Sequence, residues 1–277
     1  MNLAYITWDV SPILFSFNIG GSAFEIRWYG LLFALGFLVG QAIIARIFKI
    51  ESKPEKDLDT LFIYMIVSTV VGARLGHCIF YDWEYYSARP IEILYVWQGG
   101  LASHGAAIGI LLALYLYSRK RPGQSFLWVA DRITIVVALG GSFIRLGNLM
   151  NSEIVGKPTN VAWAFAFVRA EGIPNPTLPR HPAQLYESIT MFLLFIFLLW
   201  LYNRKKAQTP EGLLLGLFLV IVFTLRFFYE FLKENQVSFE DKLLLNMGQI
   251  LSIPAVLLGC LILWVAYKNS QKMKIQI

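Results

Sequence analysis

Long apolar runs alternate with short polar connections along most of this sequence. A run of about 20 apolar residues is long enough to cross a bilayer as a helix. Seven runs approach that length, and prolines fall between them, where helices are expected to end. The runs cover residues 28–48, 58–80, 100–117, 126–150, 183–202, 212–231 and 248–267. The pattern predicts an all-α polytopic membrane protein with seven transmembrane helices, forming a single membrane domain over residues 1–277.

Two stretches do not fit a spanning helix. Residues 1–24 are aromatic and rich in turn residues, and we expect them to lie at the membrane surface. Residues 151–182 form the longest connection and are rich in proline. Long connections in compact proteins are usually functional or have structure of their own. We therefore expect a small cap at 151–182, between the fourth and fifth helices.

Lys and Arg residues set the predicted orientation. The odd-numbered loops and the C-terminal tail carry thirteen of them, whereas the opposite side carries seven, including Lys242 in the last loop. Cytoplasmic loops of membrane proteins carry the excess of basic residues. The N-terminus is therefore predicted outside and the C-terminus in the cytoplasm, which makes the cap extracytoplasmic.

The composition agrees with a membrane protein. Of the 277 residues, 57% are hydrophobic and only 15% are charged, whereas soluble domains are about 45–50% apolar. A net charge of +6 would raise the question of nucleic acid in a soluble protein. Here the cations lie in loops between apolar runs, so no nucleic-acid partner is expected. Cys78 and Cys260 fall inside apolar runs, which leaves no disulfide framework and no cysteine metal site.

Polar residues inside the apolar runs point to a functional site. Under the predicted orientation, the following all lie in the outer halves of the helices: Tyr29, Arg74, His77, His104, Arg145, Asn148, Glu187, Arg226 and Glu230. An unpaired arginine at mid-membrane costs about 2.5–3.5 kcal/mol on insertion scales, so these arginines need partners or a ligand. The one-sided distribution predicts a cationic pocket open toward the outer leaflet. Such a pocket suits a lipid phosphate, which arginine can bind through two hydrogen bonds.

Some of these residues also have simpler interpretations. Arg226 and Glu230, one helical turn apart, could form only an internal salt bridge. His104 could be a hydrogen-bonded core histidine, and Tyr29 an aromatic anchor at the membrane surface. Arg74 lies between two glycines and could serve helix packing, with its guanidinium on backbone carbonyls.

The segment Arg145-Leu-Gly-Asn148-Leu-Met-Asn151-Ser-Glu153-Ile-Val-Gly156 resembles the signature of bacterial prolipoprotein diacylglyceryl transferases. Further segments are similar to that family's other blocks and follow in its order: 27–30, 72–76, 97–105, 180–187 and 226–230. The resemblance therefore extends over nearly the whole chain. Ile144 and Leu149 replace the family's usual Gly and Phe, and residues 101–103 also differ. These changes concern local packing more than chemistry.

The resemblance implies a reaction and a location. The diacylglyceryl group of phosphatidylglycerol would pass to the lipobox cysteine thiol of a preprolipoprotein, giving a thioether and glycerol 1-phosphate. This is the first step of bacterial lipoprotein maturation. The enzyme would lie among the lipids of the bacterial cytoplasmic (inner) membrane, with its active site toward the outer leaflet. No cofactor or metal is expected, since the ligand clusters for a metal are missing.

Carried over by residue, the resemblance also implies the members of the site. Substrate binding is expected from Arg145, Asn148, Glu153, Gly156 and Arg74, and catalysis from His104, Arg226, Glu230 and Tyr29.

The expected roles follow from the reaction. Arg145 would bind the donor phosphate, and Arg226 with Glu230 would serve gating or the leaving group, because guanidinium groups stabilise charge on a departing phosphate. Asn148 would hydrogen-bond glyceryl or phosphate oxygens, and Glu153 would orient Arg145 or the cap backbone. The thiol must ionise before it attacks. Either His104, since imidazole titrates near neutrality, or a bound water would take the proton.

Two other functions compete with this hypothesis. A lipid or small-anion transporter would also need cations in a membrane cavity, but polarity should then continue through both halves of the bilayer, with broken helices or repeats. The sequence has neither. A seven-helix receptor or scaffold with internal ion pairs explains neither the one-sided depth nor the ordered blocks.

Overall fold

A computed structural model describes residues 5–234 and 244–275, so Lys242 from the orientation argument lies outside the described residues. Eight α-helices dominate these two ranges. In chain order they are α1 (Trp28–Ile50), α2 (Glu55–Phe80), α3 (Trp83–Ala88), α4 (Ser103–Arg119), α5 (Phe126–Met150), α6 (Ala183–Lys205), α7 (Leu213–Tyr229) and α8 (Met247–Ile275). Each predicted apolar run corresponds to one of the longer helices. The predicted polytopic helical architecture is therefore confirmed.

Six helices of the described part are long and apolar enough to cross a membrane: α1, α2, α5, α6, α7 and α8, where α7 is counted with the 3-10 turn that extends it to Leu232. The other long helix, α4, has 17 residues, which is below the ~20 of a typical span. It begins three residues after the start of its apolar run. Gly99 and Gly100 precede it with φ angles of 87° and 67°, outside the right-handed helical region. Length and composition thus support six spans.

Two small sheets accompany the helices, and the all-α prediction did not include them. β2 (Ile13–Ile19) and β3 (Ser22–Arg27) form an antiparallel hairpin directly before α1. β1 (Ile6–Trp8) pairs in parallel with β4 (Phe165–Phe167). The N-terminal stretch, predicted to lie at the membrane surface, is therefore largely β-structure in its described residues.

The chain divides into two compact units, and the larger contains Met1–Ile43 and Ile133–Ile277. Within it, residues 151–182 fold with β1 into a small cap. Trp8 Nε1 donates a hydrogen bond to the carbonyl of Leu149 at 3.0 Å, and its ring stacks on Phe165 at 5.3 Å. Val155 and Phe167 complete the buried apolar cluster. The predicted cap therefore has structure of its own.

The smaller unit contains Ile44–Arg132. In it, α2 and α4 pack closely through glycines: a Cβ added to Gly76 would lie 2.6 Å from the Cα of Gly105. Small residues allow such close approach of membrane helices. Elsewhere in the unit, the buried guanidinium of Arg132 donates to both carboxylate oxygens of Glu51 at 3.0 and 3.1 Å.

The expectation of a single domain stays a prediction.

Candidate functional site

Two predicted arginines of the larger unit are each paired with a carboxylate. Nε of Arg145, in α5, lies 2.8 Å from Oε2 of Glu187 in α6. The contact is ionic, since Oε2 accepts no hydrogen bond from any described residue. Nε of Arg226, in α7, lies 3.6 Å from Oε1 of Glu230, one turn later. Both guanidinium groups are therefore held at their Nε edge.

Lys233 links these two ion pairs. Its Nζ lies 2.6 Å from Oε1 of Glu187 and 3.0 Å from Oε1 of Glu230. The lysine side chain is only 3% exposed, so the two carboxylates replace water around the ammonium group. We call the resulting row of alternating charges the charge chain. It consists of Arg145, Glu187, Lys233, Glu230 and Arg226.

Both ends of the charge chain retain hydrogen-bond donors. Nη1 of Arg145 makes one long hydrogen bond, 3.4 Å, to Oδ1 of Asn148. The side chain of Arg226 is 40% exposed, and its terminal amino groups donate to no residue within 5–234 or 244–275. A guanidinium carries five N–H donors in a fixed planar fork. The two arginines can therefore bind an anion without breaking their ion pairs.

Asn148 and Glu153 form a second cluster beside Arg145. Nδ2 of Asn148 donates to Oε1 of Glu153 at 2.7 Å, and Asn151 donates to the same oxygen at 3.3 Å. The carboxylate of Glu153 thus holds Asn148, whereas the sequence prediction gave it Arg145 or the cap backbone. With its amide nitrogen fixed in this way, Asn148 turns its oxygen toward Arg145. The buried amide is oriented from both sides.

Tyr29, in the first turn of α1, packs directly on α5. A Cβ added to Gly147 would lie 2.7 Å from Cδ2 of Tyr29, so the missing side chain at Gly147 leaves the room for this ring. Gly147 falls between Arg145 and Asn148 in the sequence. Tyr29 therefore lies against the helical segment that carries two other predicted site residues.

Gly156 connects the cap to the segment that carries Lys233. Its N–H donates to the carbonyl of His181 at 3.0 Å, and its backbone pairs with that of Lys233 in an antiparallel bridge. A Cβ on Gly156 would lie 2.9 Å from the Leu232 carbonyl oxygen and would also collide with His181. Glycine is thus required at position 156 for close approach.

Burial lowers the pKa of His181, whose Nδ1 lies 3.2 Å from the Tyr186 hydroxyl.

Arg74 belongs to the smaller unit, where its guanidinium binds backbone carbonyls. It donates to the carbonyls of Ile93 at 2.9 Å, Gly99 at 2.7 Å and Glu92 at 2.6 Å. The side chain is 3% exposed, and its guanidinium lies 4.9 Å over the ring of Tyr86. These contacts match the simpler interpretation of Arg74, in which its guanidinium binds backbone carbonyls between packed helices. Its substrate-binding role stays a prediction.

His104 also belongs to the smaller unit, in the first turn of α4. It is exposed, and its ring lies 5.6 Å from the rings of both Phe80 and Tyr81. The alternative of a hydrogen-bonded core histidine therefore does not fit. The imidazole is therefore not enclosed by the described residues around it.

Sequence reasoning missed Lys233 and Asn246 as members of this cluster. Lys233 follows Glu230 by three residues, a spacing that brings helical side chains together, so the sequence contained a signal for this contact. It contained no signal for the contact of Lys233 with Glu187, because that residue is distant in the sequence. Asn246 donates to Oε2 of Glu230 at 3.1 Å and lies in a polar connection without any motif.

Comparison with known proteins gives consistent matches. The model of the prolipoprotein diacylglyceryl transferase family matches residues 12–265. A phosphatidylglycerol–prolipoprotein diacylglyceryl transferase from Chloroherpeton thalassium is 52% identical over 97% of this chain and 97% of its own length. Proteins of the same name from Tolumonas auensis and Porphyromonas gingivalis are 46% and 45% identical, over 96% of this chain and 99% and 96% of theirs. The matches include residues of both compact units.

Proposed function

Because the chain belongs to the prolipoprotein diacylglyceryl transferase family, we propose that it transfers the diacylglyceryl group of phosphatidylglycerol to the lipobox cysteine of a preprolipoprotein. The relatives named for this activity support a transferase. They give no support to a lipid or small-anion transporter. The observation that carries the proposal is the charge chain, whose two terminal arginines keep free donors for a phosphate.

The reaction is a substitution at the glyceryl carbon. The cysteine thiol loses its proton, and the thiolate sulfur attacks the carbon that is bonded to the phosphate oxygen. A C–S bond forms as the C–O bond breaks, and both electrons of that bond leave with glycerol 1-phosphate. The phosphate gains one negative charge in this step. Preorganised donors aimed at such developing charge lower the barrier.

The terminal arginines bind and stabilise the phosphate. Arg145 holds it in the bound lipid, because its Nε edge is fixed by Glu187 and its terminal amino groups make only one long hydrogen bond, to Asn148. Arg226, with Glu230 behind it, receives the charge of the leaving group. Arg forms two parallel hydrogen bonds with phosphate oxygens more readily than Lys does. This geometry supports a role for both arginines that an internal salt bridge alone does not explain.

The remaining residues of the larger unit position the substrate. Asn148 hydrogen-bonds a glyceryl or phosphate oxygen, and Glu153 keeps its amide in the required orientation. Tyr29 lines the site from α1, since its ring packs on α5 beside Asn148. Gly156 holds the cap against the segment that carries the lysine of the charge chain.

Two residues of the smaller unit complete the proposal. His104 takes the proton of the thiol, directly or through a water, and its exposure supports this role. Arg74 serves substrate binding by fixing the segment of residues 92–100, whose carbonyls it holds. A change of His104 to Gln should depress the rate most at low pH, where the thiol ionises least. An unchanged pH profile would assign the base elsewhere.

We also propose how the protein lies in its membrane. All seven long helices cross the bacterial cytoplasmic (inner) membrane, with the N-terminus outside, the C-terminus in the cytoplasm and the site toward the outer leaflet. The excess of Lys and Arg in the odd-numbered loops supports this orientation. Single cysteines placed in the 151–182 cap should react with an impermeant reagent from outside the cell. Labelling only after permeabilisation would reverse the orientation.

One experiment tests the activity directly. The purified chain is incubated with phosphatidylglycerol and a lipobox peptide, and the peptide mass is measured. The peptide should gain one diacylglyceryl group, while a peptide with serine in place of cysteine should stay unmodified. An unmodified cysteine peptide, together with lipid movement across vesicles that contain the protein, would instead favour a transporter.

A further inference from the structure

We propose that Lys233 is a positioning residue that leaves Arg145 and Arg226 free to bind the donor phosphate. This inference rests on the proposed function and deepens it. Lys233 acts through Glu187 and Glu230, whose Oε1 atoms lie 2.6 and 3.0 Å from its Nζ. Each of these glutamates also faces one of the arginines.

The charges of the charge chain explain why the lysine is needed. Three cations alternate with two carboxylates, which leaves one net positive charge. That charge matches the single negative charge of a phosphodiester. Without Lys233, two carboxylates would balance two arginines, and each guanidinium would be neutralised by its own partner. The charge chain would then carry no net positive charge to attract a phosphate.

Burial makes this arrangement specific. The side chains of Lys233 and Glu187 are 3% and 8% exposed, and that of Glu230 is 10% exposed. Buried charges interact strongly because little water screens them, and an unpaired buried charge is costly. The lysine therefore holds two carboxylates close together that would otherwise repel one another. Their spacing in turn fixes the Nε edges of the two arginines.

The backbone holds Lys233 in this place. The N–H of Lys157 donates to the carbonyl of Leu232 at 2.8 Å, and Gly156 pairs with Lys233. The beginning of the cap is thus bonded to the segment that carries the lysine. The position of its ammonium group is therefore set by main-chain contacts as well as by the glutamates.

The proposal predicts a specific pH dependence. Two neighbouring carboxylates that lose the ammonium group between them take up a shared proton more readily. The charged groups facing this pair are Lys233, Arg145 from α5 and Arg226 from α7, and the uncharged Asn246 contacts Glu230. In Lys233→Met, a proton on one glutamate would restore the net positive charge. The variant should therefore recover part of its activity as the pH falls.

The first experiment compares Lys233→Met with Lys233→Arg in the full chain, using phosphatidylglycerol and a lipobox peptide. At about pH 8, Lys233→Met should lower kcat/KM at least about tenfold, the usual size of a lost charged hydrogen bond. Lys233→Arg, which keeps the charge but changes the shape of the cation, should retain more activity than Lys233→Met. Lys157→Met is the matched control, because this neighbouring cap lysine is exposed. It should behave as the wild type.

The second experiment separates charge from mere structure. The loss of kcat/KM in Lys233→Met, measured relative to the wild type, should be at least about threefold smaller at pH 5.5 than at pH 8, since the lower pH favours the shared proton. The double change Lys233→Met with Glu187→Gln removes one negative charge and restores the net positive charge. It should be more active than Lys233→Met at about pH 8. A purely structural role would give neither effect.

The outcomes distinguish this inference from the proposed function. A wild-type chain that modifies no peptide would refute the proposed function itself. An active wild type with Lys233→Met within about twofold of it would refute only the role of Lys233. An equal deficit at both pH values, with no gain from Glu187→Gln, would also overturn the role. If Lys233→Met does not fold, Lys233→Arg and Glu187→Gln are compared instead, each as a single change in otherwise wild-type protein. The role of Lys233 then requires that Lys233→Arg stays active.

Discussion

Replacing Arg145 with Gln tests the phosphate site most directly. Gln retains a shorter, neutral polar group but removes the guanidinium, whose Nε faces Glu187 at 2.8 Å. If Arg145 stabilises the departing phosphate, kcat should fall by about 10²–10³-fold, the loss found when one such donor is removed from an active site. That fold-change corresponds to about 2.7–4 kcal/mol of transition-state stabilisation.

The structure also predicts that this variant stays folded. Removing one partner of a buried ion pair costs about 3–5 kcal/mol when the other charge is left alone. Here Glu187 keeps Lys233 at 2.6 Å, and the side chain of Arg145 is 24% exposed. We therefore expect the free energy of unfolding to fall by only about 1 kcal/mol, as for a partly exposed pair. Thermal unfolding in detergent measures this change.

The assay follows diacylglyceryl transfer from labelled phosphatidylglycerol to a lipobox peptide. Arg169→Gln is the matched control, since Arg169 also pairs with a carboxylate, Asp9, at 2.6 Å but is 46% exposed in the cap. Its activity should stay within about twofold of the wild type. The activity of Arg145→Lys should fall between those of Arg145→Gln and Arg169→Gln, because lysine keeps the charge and loses the planar fork. A folded Arg145→Gln protein with near-normal turnover would refute the phosphate assignment.

Three further changes have distinct expected outcomes. Gly156→Ala places a methyl group 2.9 Å from the Leu232 carbonyl and should lower activity at least about tenfold in the transfer assay. Gly140→Ala should not lower it, because a Cβ at Gly140 meets no atom within 4 Å beyond its own stretch of helix, and equal activities of the two variants would contradict the role of Gly156. Gly105→Val should lower the Tm by several degrees, because α2 and α4 can no longer approach; an unchanged Tm would show that the contact is dispensable. The lowered pKa of His181 means that the unfolded chain binds this proton more tightly, so the Tm should fall as the pH drops below about 6.5, and His181→Asn should weaken that slope.

The helices were predictable because their signal is local. Each apolar run became a helix whose ends lie within a few residues of the prediction, apart from the longer C-terminal end of α8. Prolines and loop charges marked the boundaries well, since a proline disrupts a helix at its own position and a charged side chain is costly inside the membrane. The start of α4 was misplaced because glycine counts as apolar in a hydropathy pattern, whereas Gly99 and Gly100 adopt positive φ angles.

The N-terminal sheets show a signal that was available but not used. Phe15 and Phe17 alternate with polar residues, Phe24 and Ile26 do the same, and Gly20-Gly21 lies between the two runs. Alternation with a period of two around a glycine turn is typical of a β-hairpin. The hydropathy windows that identify membrane helices average out this shorter period.

The candidate site was predictable in its arginines and less so in their partners. A buried guanidinium is costly enough to be noticed in any apolar run, so Arg145 and Arg226 were evident. Lys233 was not, because it follows the apolar run and reads as an ordinary loop cation. Its function depends on Glu187, which only the fold brings within 2.6 Å. Pairing between distant residues leaves no trace in a single sequence.

The pairing of β1 with β4 also orders the events of biosynthesis. The ribosome makes Ile6 well before its partner Phe165, which follows about 160 residues later, or roughly 8–30 s at usual elongation rates. The leading strand must therefore wait, unpaired, until five helices have been synthesised. Any change that delays the synthesis of β4 therefore lengthens the time during which β1 stays unpaired.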